Sequence, residues 1–396
     1  MSAAAVDRRP PPKRRFTLRS QAFRGFVYQL LAVAVIVALV AWLARNTLAN
    51  MQARGIQSGF GFLSQPAGFD IGETMVPYDA LDPYWKAFLV GVLNTLRVAV
   101  IGIVATTILG TLVGVGRFSA NALVRGLCYA YVELFRNIPV LLQLLMWYLL
   151  FTELLPPISD AIPLGLGTWV SKSGLSFPVP VWQRGQALAL VGAAAGVLAA
   201  WAWARYARLR FDRTGRPTPV VLPGAALVIG LALLGWLAGG AQTEWDVPVK
   251  GDVIVEGGLN VSPEFLSVLL GLVVYTGAFV AEVVRGGINA VSHGQAEAAS
   301  ALGLSRGQSM RLVVLPQALR VIIPPLTNQF LNLTKNSSLA VAIGYPDVVS
   351  ISNTAINQTG RAVECIAVIM AVYLTTSLGT TMLMGWYNRR VAILER

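Results

Sequence analysis

The sequence has one histidine, His293, and two cysteines, Cys128 and Cys365, in 396 residues. Two cysteines so far apart set up no disulfide framework, and one histidine among scattered carboxylates offers neither a metal-ligand spacing nor a catalytic dyad. Structural cysteines, no metal and no enzymatic centre are the expectation. Charge is scarce as well: 13% of residues are charged against 55% hydrophobic, and the apolar residues are bunched in runs rather than alternating. That excludes a large soluble core and describes a chain that lives in lipid. No lysine follows a glycine at any of Lys13, Lys86, Lys172, Lys250 or Lys335. A phosphate-cradling P-loop needs that pair, so the chain carries no nucleotide-hydrolysing motif. The net charge of +12 would suggest nucleic acid in a soluble chain, but the basic residues sit at the ends of apolar runs, where orientation in a bilayer explains them.

What is present is a series of membrane-length runs. Residues 1–24 form a basic tail, of which the Pro- and Arg-rich stretch 1–21 (RRPPPKRR) is expected to be disordered. The apolar run 25–44 matches the thickness of a bilayer; it is long for a signal peptide and no small-x-small site follows it closely, so it reads as a retained helix. Residues 25–83 then comprise this extra first helix and a polar, Gly-rich periplasmic segment. Residues 84–155 hold spans at 88–115 and 127–151. Residues 156–262 hold a Pro-rich periplasmic loop, read as re-entrant or interfacial, and a helix pair at 186–204 and 220–238 around the short connector RYARLRFDRTGR. Residues 263–396 hold spans at 263–284, 319–343 and 362–386. The predicted fold is all-α and polytopic, with about eight transmembrane helices. Eight spans put both termini on one side, and lysine plus arginine favour that side by roughly three to one, which marks it as the cytoplasmic side.

Between the sixth and seventh runs lies a soluble-looking island, EAASALGLSRGQSMRLVVLP. Glu297, Ala298 and Ala299 favour a helix, and Gly303 stands where a helix is closed by a residue tolerant of positive φ. Ser305 and Gln308 have capping-box spacing for a second short helix, which Pro316 is expected to end. The pattern Glu297, Ala298, Ala299, Gly303, Val313, Leu315 and Pro316 resembles the cytoplasmic EAA loop (about 288–318) of ATP-binding-cassette importer permeases. Two further motif groups are similar to the polar amino-acid branch of that family. The first comprises Glu133, Arg136 and Pro139 with Glu282, Arg285, Gly286 and Gly287; the second is the run Lys335, Asn336, Ser337, Ser338 and Leu339. The extra first helix and the inserted pair resemble the larger, Q-type permeases of general L-amino-acid transporters of Gram-negative bacteria.

The resemblance implies a type I importer permease core whose EAA loop couples closure of an ATPase to alternating access. It implies a second permease, pointing to a heterodimer, two ATP-binding-cassette ATPases that bind ATP and Mg, and a periplasmic amino-acid-binding protein. No cofactor is expected on this chain. In the loop, Glu297 would contact the ATPase, Ala298 and Ala299 would pack closely, and Gly303 would make the break. Opines or other polar solutes stay open as cargo. An ion-gradient-driven secondary transporter would show inverted repeats with matched broken helices; Pro324 and Pro325 offer one break without a counterpart.

An amino acid is a zwitterion, so its path calls for a cation or helix N-terminus and for an acceptor or anion. Asn328, Asn332, Lys335 and Asn336 recur at helical three-or-four spacing, giving one polar face through a span. A lysine near mid-span costs roughly 2.5–3.5 kcal/mol on insertion scales, which directs this face to an interior. Arg361 and Glu364 open the last span, and Arg97 with Asn94 lies in the outer half of the second. For each cation a structural reading stands beside the functional one: a lock for Lys335, an interfacial anchor for Arg361, snorkelling for Arg97. Glu364 is the favoured acceptor for a substrate ammonium group.

Overall fold

The computed structural model describes residues 21–391 apart from 54, 56–58, 242 and 252–253. The predicted disorder of the basic tail therefore falls, up to residue 20, outside the described residues. Helix α1 (Gln21–Ala53) is followed by a short 3-10 turn and by α2 (Tyr84–Gly116). Next come α3 (Ala122–Asn137) and α4 (Val140–Leu149), the latter running on as a π turn to Leu154. The third expected span, 127–151, is corrected here: α3 and α4 meet at 104°. The cause is Pro139, whose ring pushes Ile138 into extended backbone (φ −98°, ψ 126°) and leaves no helical path across the joint. Among the described residues seven helices are long and apolar enough to span a bilayer, and the bent pair makes an eighth only if its two arms are one span.

The Pro-rich loop folds as β structure. Strands β1 (Ile162–Gly165), β2 (Thr168–Ser171) and β3 (Gly174–Phe177) form an antiparallel meander, and β4 (Val179–Pro180) leads into α5 (Arg184–Thr214). After α6 (Val221–Ala238) come β5 (Trp245–Asp246), β6 (Val249–Lys250), β7 (Val255–Glu256) and β8 (Leu259–Val261). β4 pairs β5, β6 pairs β7, and β8 closes the first sheet against β3 with Leu175 opposite Val261. The chain is mostly helical, with this small sheet as an addition to the expected fold. The inserted helices thus leave and re-enter one cap, so their connecting turn lies at the opposite end of the bundle. That turn is shorter than expected, because α5 continues through most of the basic connector before Gly215 (φ 65°) ends it.

From β8 the chain enters α7 (Pro263–Asn289), α8 (His293–Ala301), α9 (Arg306–Ser309) and, through a π turn at Met310–Val314, α10 (Leu315–Asn336). A 3-10 turn, Ser337–Ile343, then α11 (Val348–Thr359) and α12 (Ala362–Val391) complete the fold. Pro324 and Pro325 are accommodated inside α10 without breaking it. α11, unforeseen in the sequence, is capped by the Asp347 carboxylate on Ser350 N (2.8 Å) and ended by Gly360 (φ 68°).

The core lies between α2, α4, α7, α10 and α11. Val98, Leu144, Phe265, Val268, Leu272 and Leu333 form its main cluster. Close approach requires glycine: a Cβ at Gly110 would stand 2.5 Å from Val280 Cβ, and one at Gly114 would stand 2.8 Å from Ala281 O. The α5–α6 pair packs in the same way on itself, with a Cβ at Gly196 falling 2.6 Å from Val228 Cα.

Candidate functional site

The island is an exposed helix-turn-helix. α8 ends at Ala301 with Leu302 as its cap, and Gly303 adopts φ +77° with nothing within 4 Å of where a Cβ would be built, so backbone conformation alone demands glycine there. The Ser305 hydroxyl accepts from Gln308 N (3.4 Å) and the Gln308 side-chain oxygen Oε1 accepts from Ser305 N (2.9 Å), the reciprocal cap expected from the sequence. Pro316 does not end this second helix, contrary to expectation. A π turn absorbs it, and the helix runs on from Arg306 to Ile343. Glu297, Ala298 and Gly303 are exposed, whereas Ala299 is buried against the following turn. Leu302, Met310, Leu312 and Leu315 are also exposed, Leu302 by 82%. The polar projection thus carries a set of bare apolar side chains at its surface.

Just above the island the two halves of the first motif group meet. The Glu282 carboxylate receives Arg117 at 2.5 Å, Arg285 from one turn on, and Arg136 at 3.9 Å, tying α2, α3 and α7. Gly287 supplies the close approach there, since a Cβ would run into the Ile322 side chain of α10. The Glu133 backbone carbonyl accepts from the Asn137 side chain (2.6 Å), which closes the end of α3.

At the opposite end Arg97 pairs with Glu73, and its guanidinium lies 4.1 Å from the centroid of the Phe265 ring. Ser262 donates its hydroxyl to the same carboxylate, and the Asn94 amide donates to Glu73 O and Pro346 O, both at 2.9 Å. A cavity of about 340 Å³ opens beside this group, lined by Asp70, Glu73, Ser262, Glu264, Ser350 and Thr354. Arg97 therefore points into the protein and is anchored, and does not snorkel. Glu73 is the partner the sequence did not reveal, because it sits in a Gly-rich loop 24 residues away with no periodic signal.

Arg361 and Glu364 act on a single residue. The Glu364 carboxylate accepts from Gly59 N (2.5 Å) while Arg361 donates to Gly59 O, so the two clasp the loop that follows α1. Glu364 is 5% exposed, and its second oxygen is buried with no hydrogen-bond partner.

On α10, Asn328, Asn332 and Lys335 are exposed and Asn336 is half-buried. Lys335, Ser338 and Tyr373 line a second cavity of about 340 Å³ between α10 and α12. The polar face is thus uncovered by the chain's own helices. Within a bilayer such a face has to meet protein or water. The structure keeps Lys335 and the three asparagines on one face and holds Arg97 and Glu364 in separate clusters toward the end of the bundle away from the island.

A multi-span helical protein with a polar face along one span and an exposed helix-turn-helix feeding that span is a transport permease. Residues 226–393 match the family described as the binding-protein-dependent transport system inner membrane component. The chain is 44% identical over 400 residues, the whole of both chains, to the general L-amino acid transport system permease protein AapQ of Rhizobium johnstonii. It is 43% identical over 390 residues to the putative amino-acid ABC transporter permease protein YhdX of Escherichia coli, covering 98% of this chain and 99% of that protein. It is also similar to a crystal structure of an amino acid ABC transporter with histidines, with a TM-score of 0.46 and 20% identity over 78% of this chain and 95% of that chain. On the two sequence relatives, the chain belongs to the family of ABC transporter permeases, the membrane subunits of binding-protein-dependent transport systems.

Proposed function

We propose that this chain translocates L-amino acids as one permease subunit of an ATP-driven importer in a bacterial inner membrane. The carrying observation is the single helical path from Arg306 to Ile343. It begins at the exposed island and ends on the face that bears Asn328, Asn332 and Lys335. An ATPase that closes on α8 and α9, covering Leu302 and Leu312, pulls directly on the helix that touches cargo, and a rigid helix transmits the pull. Glu297 stands free on α8 to contact that ATPase. ATP and Mg bind to that partner and not to this chain, and the amino acid arrives on a periplasmic binding protein at the end where Arg97 and Glu73 lie.

On this reading Lys335 meets the substrate carboxylate and the side-chain oxygens of Asn328 and Asn332 accept from its ammonium group. A second permease, a related chain and not a copy, covers the open polar face of α10. Arg361 and Glu364 brace the outer mouth by holding Gly59. Both termini are cytoplasmic.

The test is uptake of a panel of radiolabelled L-amino acids in cells that lack other transporters, comparing the wild type with Gly303→Asp while partner subunits are expressed normally. A complex that assembles without transporting is the expected outcome. Uptake that persists in the variant removes the coupling role from the island, and uptake that collapses with an uncoupler at constant ATP moves the chain to ion-gradient-driven transport.

A further inference from the structure

The α5–α6 hairpin ends in a basic collar. α5 has 31 residues and so measures about 46 Å, against about 30 Å of hydrocarbon. Its surplus turns carry Arg205, Arg208, Arg210 and Arg213, and Arg216 follows in the turn to α6; all five are exposed. Among the described residues none of these side chains forms an ion pair with a carboxylate. Arg205 instead lies 5.7 Å from the centroid of the Trp201 ring, the arrangement of an aromatic residue at headgroup level with a cation beside it.

The collar also encloses space. A crevice of about 320 Å³ between the end of α5 and the start of α6 is lined by Arg208, Phe211, Asp212, Pro217, Thr218 and Val220. It is mostly apolar with one cation at its rim. The turn is fixed over it, since the Trp203 indole donates to Pro219 O (3.1 Å). Trp201, Arg205, Arg208 and Asp212 follow one another at three-or-four spacing down one helix face. The lone acid among them is outnumbered, and the net charge of the 205–216 segment stays strongly positive.

We propose that this end of the hairpin is a binding site for the headgroup of an anionic phospholipid. The phosphate would sit on Arg205 and Arg208, the glycerol and first methylenes in the crevice, and Arg210, Arg213 and Arg216 would hold further negative headgroups around the helix. The neutral alternative, basic residues that merely orient the hairpin, needs no crevice, no fixed turn and no tryptophan beside the first arginine. The chemistry belongs to the juncture of apolar crevice and cationic rim, which a free phosphate ion does not fill.

The experiment uses the full chain purified with its partner subunits in detergent, and counts lipid adducts by native mass spectrometry. Phosphatidylglycerol, phosphatidylcholine and inorganic phosphate are titrated separately. The expected result is retention of phosphatidylglycerol over phosphatidylcholine, with each arginine replaced by glutamine weakening retention by roughly fivefold. Asp212→Asn strengthens it, and Arg→Lys replacements restore most of it. Should a glutamine variant insert poorly, Asp212→Asn and the lysine variants still decide, because they keep the positive charge that orients the hairpin. Equal retention of both lipids, or no change in the glutamine and asparagine variants, overturns the proposal. Displacement of phosphatidylglycerol by millimolar inorganic phosphate assigns the site to a soluble phosphoanion instead. Loss of the ATPase from the glutamine variants with lipid retention unchanged assigns it to a protein partner.

Discussion

The α2–α7 and α5–α6 pairs are both closed by glycine, and they differ in what surrounds the contact. In α2–α7, Gly110 and Gly114 bring backbone against Val280 and Ala281. The same helices also carry Arg97, Arg117 and Glu282 and pack against α10. In α5–α6, Gly192, Gly196, Gly235 and Gly239 give an equally close seam, but α6 (VLPGAALVIGLALLGWLA) has no charged side chain at all, and both helices show most of their remaining surface outward. Close packing without a hydrophobic drive between helices is the ordinary way to hold spans together in lipid. Only in the core is it joined to polar groups that cost free energy to bury. The hairpin is a self-contained unit beside the transport machinery, and the core pair is part of it.

That contrast is broken most severely by inserting the same side chain in both seams. Gly110→Val forces a Cβ to 2.5 Å from Val280 Cβ, and overpacking of this kind costs roughly 1–3 kcal/mol or more. Uptake should be abolished and the level of folded protein should fall. Gly192→Val drives a Cβ into the Leu231 carbonyl of α6, yet uptake should stay within roughly twofold of wild type, since distant sites act independently. Uptake lost equally in both variants would make the hairpin part of the translocation unit.

The next effect separates function from stability on α10. A lysine in a span carries an insertion cost of roughly 2.5–3.5 kcal/mol, so Lys335→Met should leave the protein as abundant and as heat-stable as the wild type or more so. Uptake should nonetheless fall by at least roughly tenfold, the loss expected when a charge-assisted contact to a carboxylate is removed. A variant that unfolds while its residual protein transports normally would make Lys335 a structural lock.

How much of this was legible in advance follows from how local each signal is. The spans could be read because an apolar run needs no partner to be recognised, and the island because the Ser305 and Gln308 cap and the positive φ at Gly303 are decided within a few residues. The break at Pro139 was also local, but the length of the apolar run masked it. α11 was missed because its sequence, VVSISNTAINQT, is too short and polar for a span, although Asp347 before it and Gly360 after it are ordinary start and stop signals. The Pro-rich loop, read as re-entrant or interfacial, gave no sign of its strands, because their closing partner β8 lies on the far side of the inserted helices. Glu73 and Arg97, and likewise Gly59 and Glu364, are pairings that only the folded chain creates.

The smallest expected effect concerns that last pair and sharpens what a carboxylate at the mouth of a span is for. In Glu364→Gln the amide oxygen can still accept from Gly59 N, and the new NH₂ group takes the place of the oxygen that now lacks a partner. Uptake should therefore stay within about threefold of wild type, a change of less than about 1 kcal/mol. Glu364→Ala removes the acceptor and leaves a buried N–H unpaired, which costs roughly 1–3 kcal/mol, so it should lower the melting temperature of the complex and loosen the loop after α1. If Glu364→Gln assembles normally but loses transport, the negative charge itself is needed, and the carboxylate receives the ammonium group of the cargo after all. The two substitutions differ only in whether the hydrogen bond survives without the charge, which makes their ratio a direct reading of bracing against binding.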